Sequence, residues 1–159
     1  MTRTATLGHV AIVTQDPARM ADFYRDLLDL EITLQGSLPQ LGDFAFLIGQ
    51  PETEFAELSF VTNPRARHIA LRVESLAALK EVYAEAKRRN IIRPSPALNH
   101  QASLSLYLQD PDGNMLEIYW ATGEKAGEPM AEPVDLERPE AELLALVQGR
   151  EPVQQGGRS

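Results

Sequence analysis

The chain has 159 residues, 43% of them hydrophobic and 24% charged, with 15 basic against 23 acidic side chains, three histidines and no cysteine. That composition suits one globular domain; the net charge of −8 argues against general nucleic-acid binding and against docking on anionic membranes. Without a thiol there is no disulfide framework and no thiolate site, so any transition metal must be held by His, Asp or Glu. No apolar run nears the roughly 18 residues of a membrane helix, and the Met-Thr-Arg-Thr start has no apolar signal core, so the expected location is the cytoplasm.

Residues 7–14 read as a short apolar strand, broken by Gln15-Asp16-Pro17. Pro17 suits the first turn of a helix on which Met20, Phe23, Tyr24, Leu27, Leu28 and Leu30 recur at helical spacing. Residues 31–35, 43–48 and 55–62 follow as strands, with Gly, Pro and Ser between them. The order then repeats. Residues 68–73 form a strand, and Ser75 caps a helix with Leu76, Leu79, Val82, Tyr83 and Ala86 on one face. Residues 91–93 are a short strand candidate, and strands 103–109 and 114–120 flank the turn chemistry of Asp110-Pro111-Asp112-Gly113. Beyond Thr122 the chain is rich in Gly, Pro and Glu; residues 136–147 could form one amphipathic helix, and 151–159 read as loose.

The repeat is explicit in the residues. His9-Val10-Ala11-Ile12 returns 59 positions later as His68-Ile69-Ala70-Leu71, and Ala56–Thr62 is echoed 60 positions later by Leu116–Thr122. Modules 7–62 and 68–122 should therefore be related by a pseudo-twofold axis, pairing Tyr24 with Tyr83 and Glu57 with Glu117. They make up a domain over residues 1–122, with 123–159 a tail carrying one short helix. Side chains alternate along a strand. His9 and Ala11 thus share a face opposite Val10 and Ile12, and His68 and Ala70 share one opposite Ile69 and Leu71. Tyr107 opposes the leucines at 104, 106 and 108, and Glu117 lies between Leu116 and Ile118. A sheet curved over its polar face would gather His9, His68, Tyr107 and Glu117. Two imidazoles and one carboxylate on adjacent strands match a facial triad, which leaves positions open and suits Fe(II) or Mn(II). A carboxylate buried at 117 requires a cation or a hydrogen-bond donor.

Gly8-His9-Val10-Ala11, Asp22-Phe23-Tyr24-Arg25, His68-Ile69-Ala70-Leu71 and Asp110-Pro111-Asp112-Gly113-Asn114-Met115-Leu116-Glu117 together resemble the vicinal oxygen chelate superfamily of glyoxalases, fosfomycin and bleomycin resistance proteins and type I extradiol dioxygenases. The resemblance covers residues 7–122. It implies an α+β fold in which two βαβββ modules form an incomplete β-barrel around a divalent metal, with His9, His68 and Glu117 as ligands. The run from His100 to Tyr107 resembles the dioxygenase segment that carries an acid–base histidine and a hydrogen-bonding tyrosine, although Gln101 stands where a glycine is usual. Extradiol-type cleavage of a catechol-like aromatic substrate is the first expectation. Many such enzymes carry a second double module upstream; these 159 residues hold one. Glu57 points instead to the four-ligand set of glyoxalase I, which would favour Zn or Ni and a lyase or isomerase, although Val13 occupies the place of that enzyme's glutathione-binding arginine. A metal-free small-molecule binder is the third reading. Exposed sheet edges and the tail helix suggest a homodimer.

Overall fold

The computed structural model describes residues 5–49, 56–91, 97–124 and 130–148. β1 (Ala5–Val13) is followed by α1 (Pro17–Leu28), β2 (Glu31–Leu38), β3 (Gly42–Ile48) and β4 (Leu58–Val61). After a single 3-10 turn at Pro64–Ala66 come β5 (His68–Val73), α2 (Leu76–Arg88), β6 (Ala97–Asn99), β7 (Ser103–Gln109) and β8 (Met115–Ala121). A two-residue β9 (Glu132–Pro133) and α3 (Glu140–Val147) complete the order. Both long helices start where their caps allow. The Asp16 carboxylate accepts from the Arg19 amide at 3.0 Å with Pro17 in the first turn, and the Ser75 hydroxyl accepts from the Ala78 amide at 3.1 Å.

Among the described residues all nine strands lie in one curved sheet in the order β2-β3-β4-β1-β5-β8-β7-β6-β9. Its two ends do not meet, so the barrel stays incomplete. The branched and aromatic residues face the helices in two clusters. Ala21, Ala45, Leu47 and Phe60 centre the first module, and Leu79, Leu104, Leu106, Ile118, Leu136 and Leu143 centre the second. Tyr24 and Tyr83 pack on their respective clusters, as the 59-residue spacing predicts. Residues 132–147 are built into the second module: β9 pairs with β6, and Leu136, Leu143 and Val147 are buried in its core.

The structure redraws several boundaries. β2 runs on through Gly36 and Ser37 because their backbones pair with Phe44 and Asp43, which overrides weak intrinsic strand propensity. α3 starts at Glu140 because Pro139 sits at its N-cap, so Leu136 is buried outside the helix. Ile91 lies outside any strand, and 92–93 fall outside the described residues, as do Phe55 and residues 151–159. β6 and β9 are too short to show any periodicity in sequence.

The pairing of Glu57 with Glu117 is corrected by the register. Val10 lies opposite Leu58 in β4, and its repeat equivalent Ile69 lies opposite Leu116 in β8. One step on, Ala11 faces Ser59 and Ala70 faces Glu117. Ser59 therefore occupies the symmetry position of Glu117. The 60-residue echo is two positions out of step with the 58-residue spacing of the paired backbones, and in a strand only register decides which residues correspond.

Candidate metal centre

β1 and β5 run antiparallel at the centre of the sheet, with His9 opposite Ala70 and Ala11 opposite His68. Each module thus sends one histidine across the pseudo-twofold axis onto the same face, beside an alanine that leaves room above it. Glu117 is the next residue in that row, opposite Ala70, and Tyr107 follows, opposite Glu117. The three ligand atoms converge. His9 Nε2 is 2.9 Å from His68 Nε2, and Glu117 Oε2 is 3.0 Å from His68 Nε2 and 3.4 Å from His9 Nε2. Among the described residues this is the one group of three or more His, Asp or Glu side chains close enough to hold an ion.

The donor chemistry fits a divalent cation. His68 donates from Nδ1 to the Ala66 carbonyl at 2.7 Å, which leaves Nε2 of a neutral ring with its lone pair directed at the Glu117 carboxylate. A lone pair facing a carboxylate repels unless a proton or a metal ion lies between them. The three separations match the edge of about 3 Å shared by ligands about 2.1 Å from one ion on an octahedral face. Without the ion, protons take that role. Burial opposes the charged forms of both His68 and Glu117, but their mutual attraction outweighs it. The His68 pKa moves up, with the Ala66 carbonyl helping, and Glu117 is held well below the usual carboxylate range by its hydrogen bonds to His68 and His9.

Tyr107 and His100 stand beside this group. His100 donates from Nδ1 to the Met130 carbonyl at 2.7 Å, so its Nε2 carries the ring's lone pair and accepts from the Tyr107 hydroxyl at 3.0 Å. Burial, the Glu117 charge and a hydrogen bond to that carboxylate push the Tyr107 pKa well above its ordinary value, so the phenol remains a proton donor. Gln101, which replaces the expected glycine, keeps a glycine-like backbone with φ at 66°. Its amide donates to Asn99 Oδ1 at 2.8 Å, and its carbonyl accepts from the Thr122 hydroxyl at 2.7 Å. These two bonds hold the His100 loop in its strained form.

Glu57 is not brought to the group. Its Oε2 accepts from the Gly49 amide at 2.8 Å. Other contributors were not evident from the residue pattern. The carbonyls of Ala66 and Met130 orient two of the histidines and carry no side-chain signal. The Tyr119 ring lies 5.8 Å from that of His9, and Gly8 is the space it needs: a Cβ there would come within 2.0 Å of Tyr119 Oη. That glycine beside the histidine was the available clue.

The Glyoxalase/Bleomycin resistance protein/Dioxygenase superfamily model matches residues 6–118. Biphenyl-2,3-diol 1,2-dioxygenase 2 of Rhodococcus globerulus is 29% identical over 127 residues, which cover 74% of this chain and 64% of that protein. Biphenyl-2,3-diol 1,2-dioxygenase 3 of the same organism is 27% identical over 124 residues, with the same shares. The chain thus spans a little under two thirds of the length of these relatives. Among solved structures, catechol 2,3-dioxygenase superposes with a TM-score of 0.61 at 20% identity, over 84% of this chain and 47% of that one. For 2,2',3-trihydroxybiphenyl 1,2-dioxygenase from Sphingomonas wittichii strain RW1 the TM-score is 0.58 at 18% identity, over 82% and 44%. At these identities the structural likeness concerns the fold.

Proposed function

The chain belongs to the Glyoxalase/Bleomycin resistance protein/Dioxygenase superfamily, and from that premise we propose that it is an extradiol-type dioxygenase that opens a catechol-like aromatic ring beside its two hydroxyls. His9, His68 and Glu117 would hold a divalent ion, Fe(II) or Mn(II). When bound, that ion would supply Lewis-acid activation of the substrate's two hydroxyls and the electron transfer that links the ring to dioxygen. The chain's own residues do the rest. His100 Nε2 takes a proton from a substrate hydroxyl and later returns it, and Tyr107 donates one hydrogen bond into the same space.

The single observation that carries this reading is the His100–Tyr107 contact of 3.0 Å, next to the assembled triad. A proton-handling pair is what ring opening needs and what a metal-free binder does not. The engagement of Glu57 with Gly49 speaks against a four-ligand glyoxalase site. The two Rhodococcus relatives named for biphenyl-2,3-diol support a catechol substrate. The first is also short: 127 residues at 64% make it under about 200 residues, too few for two copies of this double module. One double module is therefore compatible with dioxygenase chemistry. A homodimer in the cytoplasm, acting on a small molecule, remains part of the proposal.

The test is anaerobic loading of chelator-free protein with Fe(II) or Mn(II), followed by oxygen uptake on a catechol panel and, in parallel, turnover of a hemithioacetal. Oxygen consumption coupled to ring opening is the expected result. Hemithioacetal isomerisation without catechol cleavage would replace this reading with the glyoxalase one.

A further inference from the structure

β7 carries two kinds of side chain. Leu104, Leu106 and Leu108 are buried in the second core. Ser103, Ser105 and Tyr107 alternate with them and so share the other face, where Ser105 lies opposite Tyr119 and Tyr107 opposite Glu117. Ser105 is completely buried and Ser103 half-buried. A hydroxyl withdrawn from water is costly unless it is bonded, and these two bond each other, Oγ to Oγ at 3.1 Å. Where this face needs only room it uses alanine, at 11 and 70 beside the histidines. At 103 and 105 it carries oxygen instead.

The hydrogen bonds run head to tail. His100 gives its N–H to the Met130 carbonyl, so Nε2 accepts, and the Tyr107 hydroxyl is 3.0 Å away. The phenol proton has two acceptors, Glu117 and His100 Nε2, and either choice leaves the phenol oxygen free to accept. Ser105 is the group whose hydrogen bond favours the phenolate, so it is the donor to that oxygen. With its proton so engaged, Ser105 accepts from Ser103. The His100 amide donates to the Ser103 carbonyl at 2.9 Å, which ties the histidine loop to the outer end of the same row.

We propose that Ser103 and Ser105 are positioning residues that join Tyr107 and His100 to water as a proton relay. Its purpose rests on the dioxygenase reading: a ring bound at Nε2 covers the direct way from His100 to solvent, and the relay reaches water at Ser103 instead. A hydroxyl donates and accepts together, so a row of them passes a proton while no member changes charge. Hydronium gives a proton to Ser103 Oγ, Ser103 to Ser105 Oγ, Ser105 to Tyr107 Oη and Tyr107 to His100 Nε2. Each hydroxyl gains one proton and gives one; the imidazole becomes imidazolium and hydronium becomes water. The reverse order, once the hydroxyls have turned, carries a proton out.

The experiment is NMR of Zn(II)-loaded protein without substrate, with carbon-13 at the ζ carbon of tyrosine and Tyr107→Phe assigning the signal. In mixed H2O and D2O a slowly exchanging phenol splits that signal and a rapidly exchanging one does not, so the line shape reads proton exchange at Tyr107. Ser105→Ala and Ser103→Ala should each slow exchange by about tenfold, the scale of one lost hydrogen bond. Ser103→Thr, which keeps a hydroxyl at a half-buried site, should match the parent, and the Tyr24 and Tyr83 signals should be the same throughout. Because Ser103 is half-buried, its variants carry the test even where a change at Ser105 unfolds the chain. Equal exchange in the parent and the alanine variants overturns the proposal, as does Ser103→Thr exchanging as slowly as Ser103→Ala. Catechol turnover with Fe(II) or Mn(II), measured separately, should fall about tenfold in the alanine variants; undiminished turnover beside slowed exchange overturns the relay's part in the reaction. Slowed exchange in a protein that opens no catechol leaves the relay standing and strikes only the dioxygenase reading.

Discussion

Replacing Glu117 by Gln separates the metal site from the fold. The residue is 4% exposed and its side chain keeps its shape on substitution, so packing is conserved. Removing one partner of a buried ion pair usually costs about 3–5 kcal/mol because a charge is stranded. Here the stranded partner is His68, whose raised pKa depends on Glu117, so it simply gives up its proton. The metal-free variant should therefore lie within about 1–2 kcal/mol of the parent. The metal-bound states differ sharply. At a metal concentration of about 100 Kd, binding stabilises the parent by about 2.7 kcal/mol, which for a chain of this size raises the melting temperature by about 5–11 °C. Loss of an anionic ligand should weaken affinity by about a hundredfold, more than is typical for groups that only support a ligand. The same metal concentration then contributes about 0.4 kcal/mol, a shift of about 1–2 °C. Scanning calorimetry of both proteins, with chelator and with Fe(II), Mn(II) or Zn(II), reads both quantities. Equal metal-induced shifts in parent and variant would refute the assignment of Glu117.

His100→Ala should leave metal content intact and lower catechol turnover by about two to four powers of ten, while Tyr107→Phe, which loses one hydrogen bond, should cost about two- to thirteenfold; steady-state kinetics beside metal analysis checks both. Gln101→Gly relieves a backbone at φ 66° but frees the unfolded chain, so it should be neutral or stabilising by up to about 1 kcal/mol, whereas Gln101→Val should lose more than that in urea unfolding. Gly8→Ala forces a methyl into Tyr119 and should lose about 1–3 kcal/mol, with weaker metal binding because His9 is the next residue; an unchanged metal titration would sever that link. The raised pKa of His68 adds stability to the metal-free protein that is full below about 6.5 and lost as pH rises through the folded value, while the lowered pKa of Glu117 adds stability present above about 4.5 and lost as pH falls through its folded value. With chelator the melting temperature should thus peak between about 4.5 and 6.5 and fall toward pH 8, whereas with bound metal, which needs neutral imidazoles, it should rise over that upper range; parallel slopes would count against the site.

The triad was legible because two short-range signals agree. The repeat of His-x-Ala in two strands places the imidazoles, and alternation puts Glu117 on their face, and the geometry brings all three together within 4.8 Å. Glu57 shows the limit of the same reasoning. Its echo of Glu117 is a likeness of letters, and only the pairing of Val10 with Leu58 reveals that Ser59 is the equivalent residue. Backbone acceptors were invisible for a different reason. Any residue at 66 or 130 presents a carbonyl, so nothing in the identities Ala66 or Met130 announces that they fix the two imidazoles. The glycine missing at 101 looked like a departure from the dioxygenase pattern; the backbone keeps the left-handed turn that a glycine would take, held by Asn99 and Thr122. β9 was illegible because two residues have no period, yet its segment supplies the carbonyl that orients His100.

Duplication explains the histidines, and its breaking explains the rest of the site. One histidine per module, placed across a pseudo-twofold axis, yields two adjacent imidazoles from repeat-equivalent positions. The same symmetry applied to the neighbouring strands would yield two carboxylates and two phenols. The row His9–Ala70–Glu117–Tyr107 has as its counterpart His68–Ala11–Ser59–Phe46. A second buried carboxylate at 59 would add like charge to the same face of the sheet, where it destabilises the first unless an ion needs both. Ser59 removes that repulsion and Phe46 removes the second phenol, so anion and proton donor lie on the β8–β7 side alone. In the proposed mechanism His100 would then act on one side only, beside Tyr107, and the first module would provide structure and one ligand. A symmetric scaffold carries a one-sided site because the two modules hold different residues at two positions that only strand register identifies.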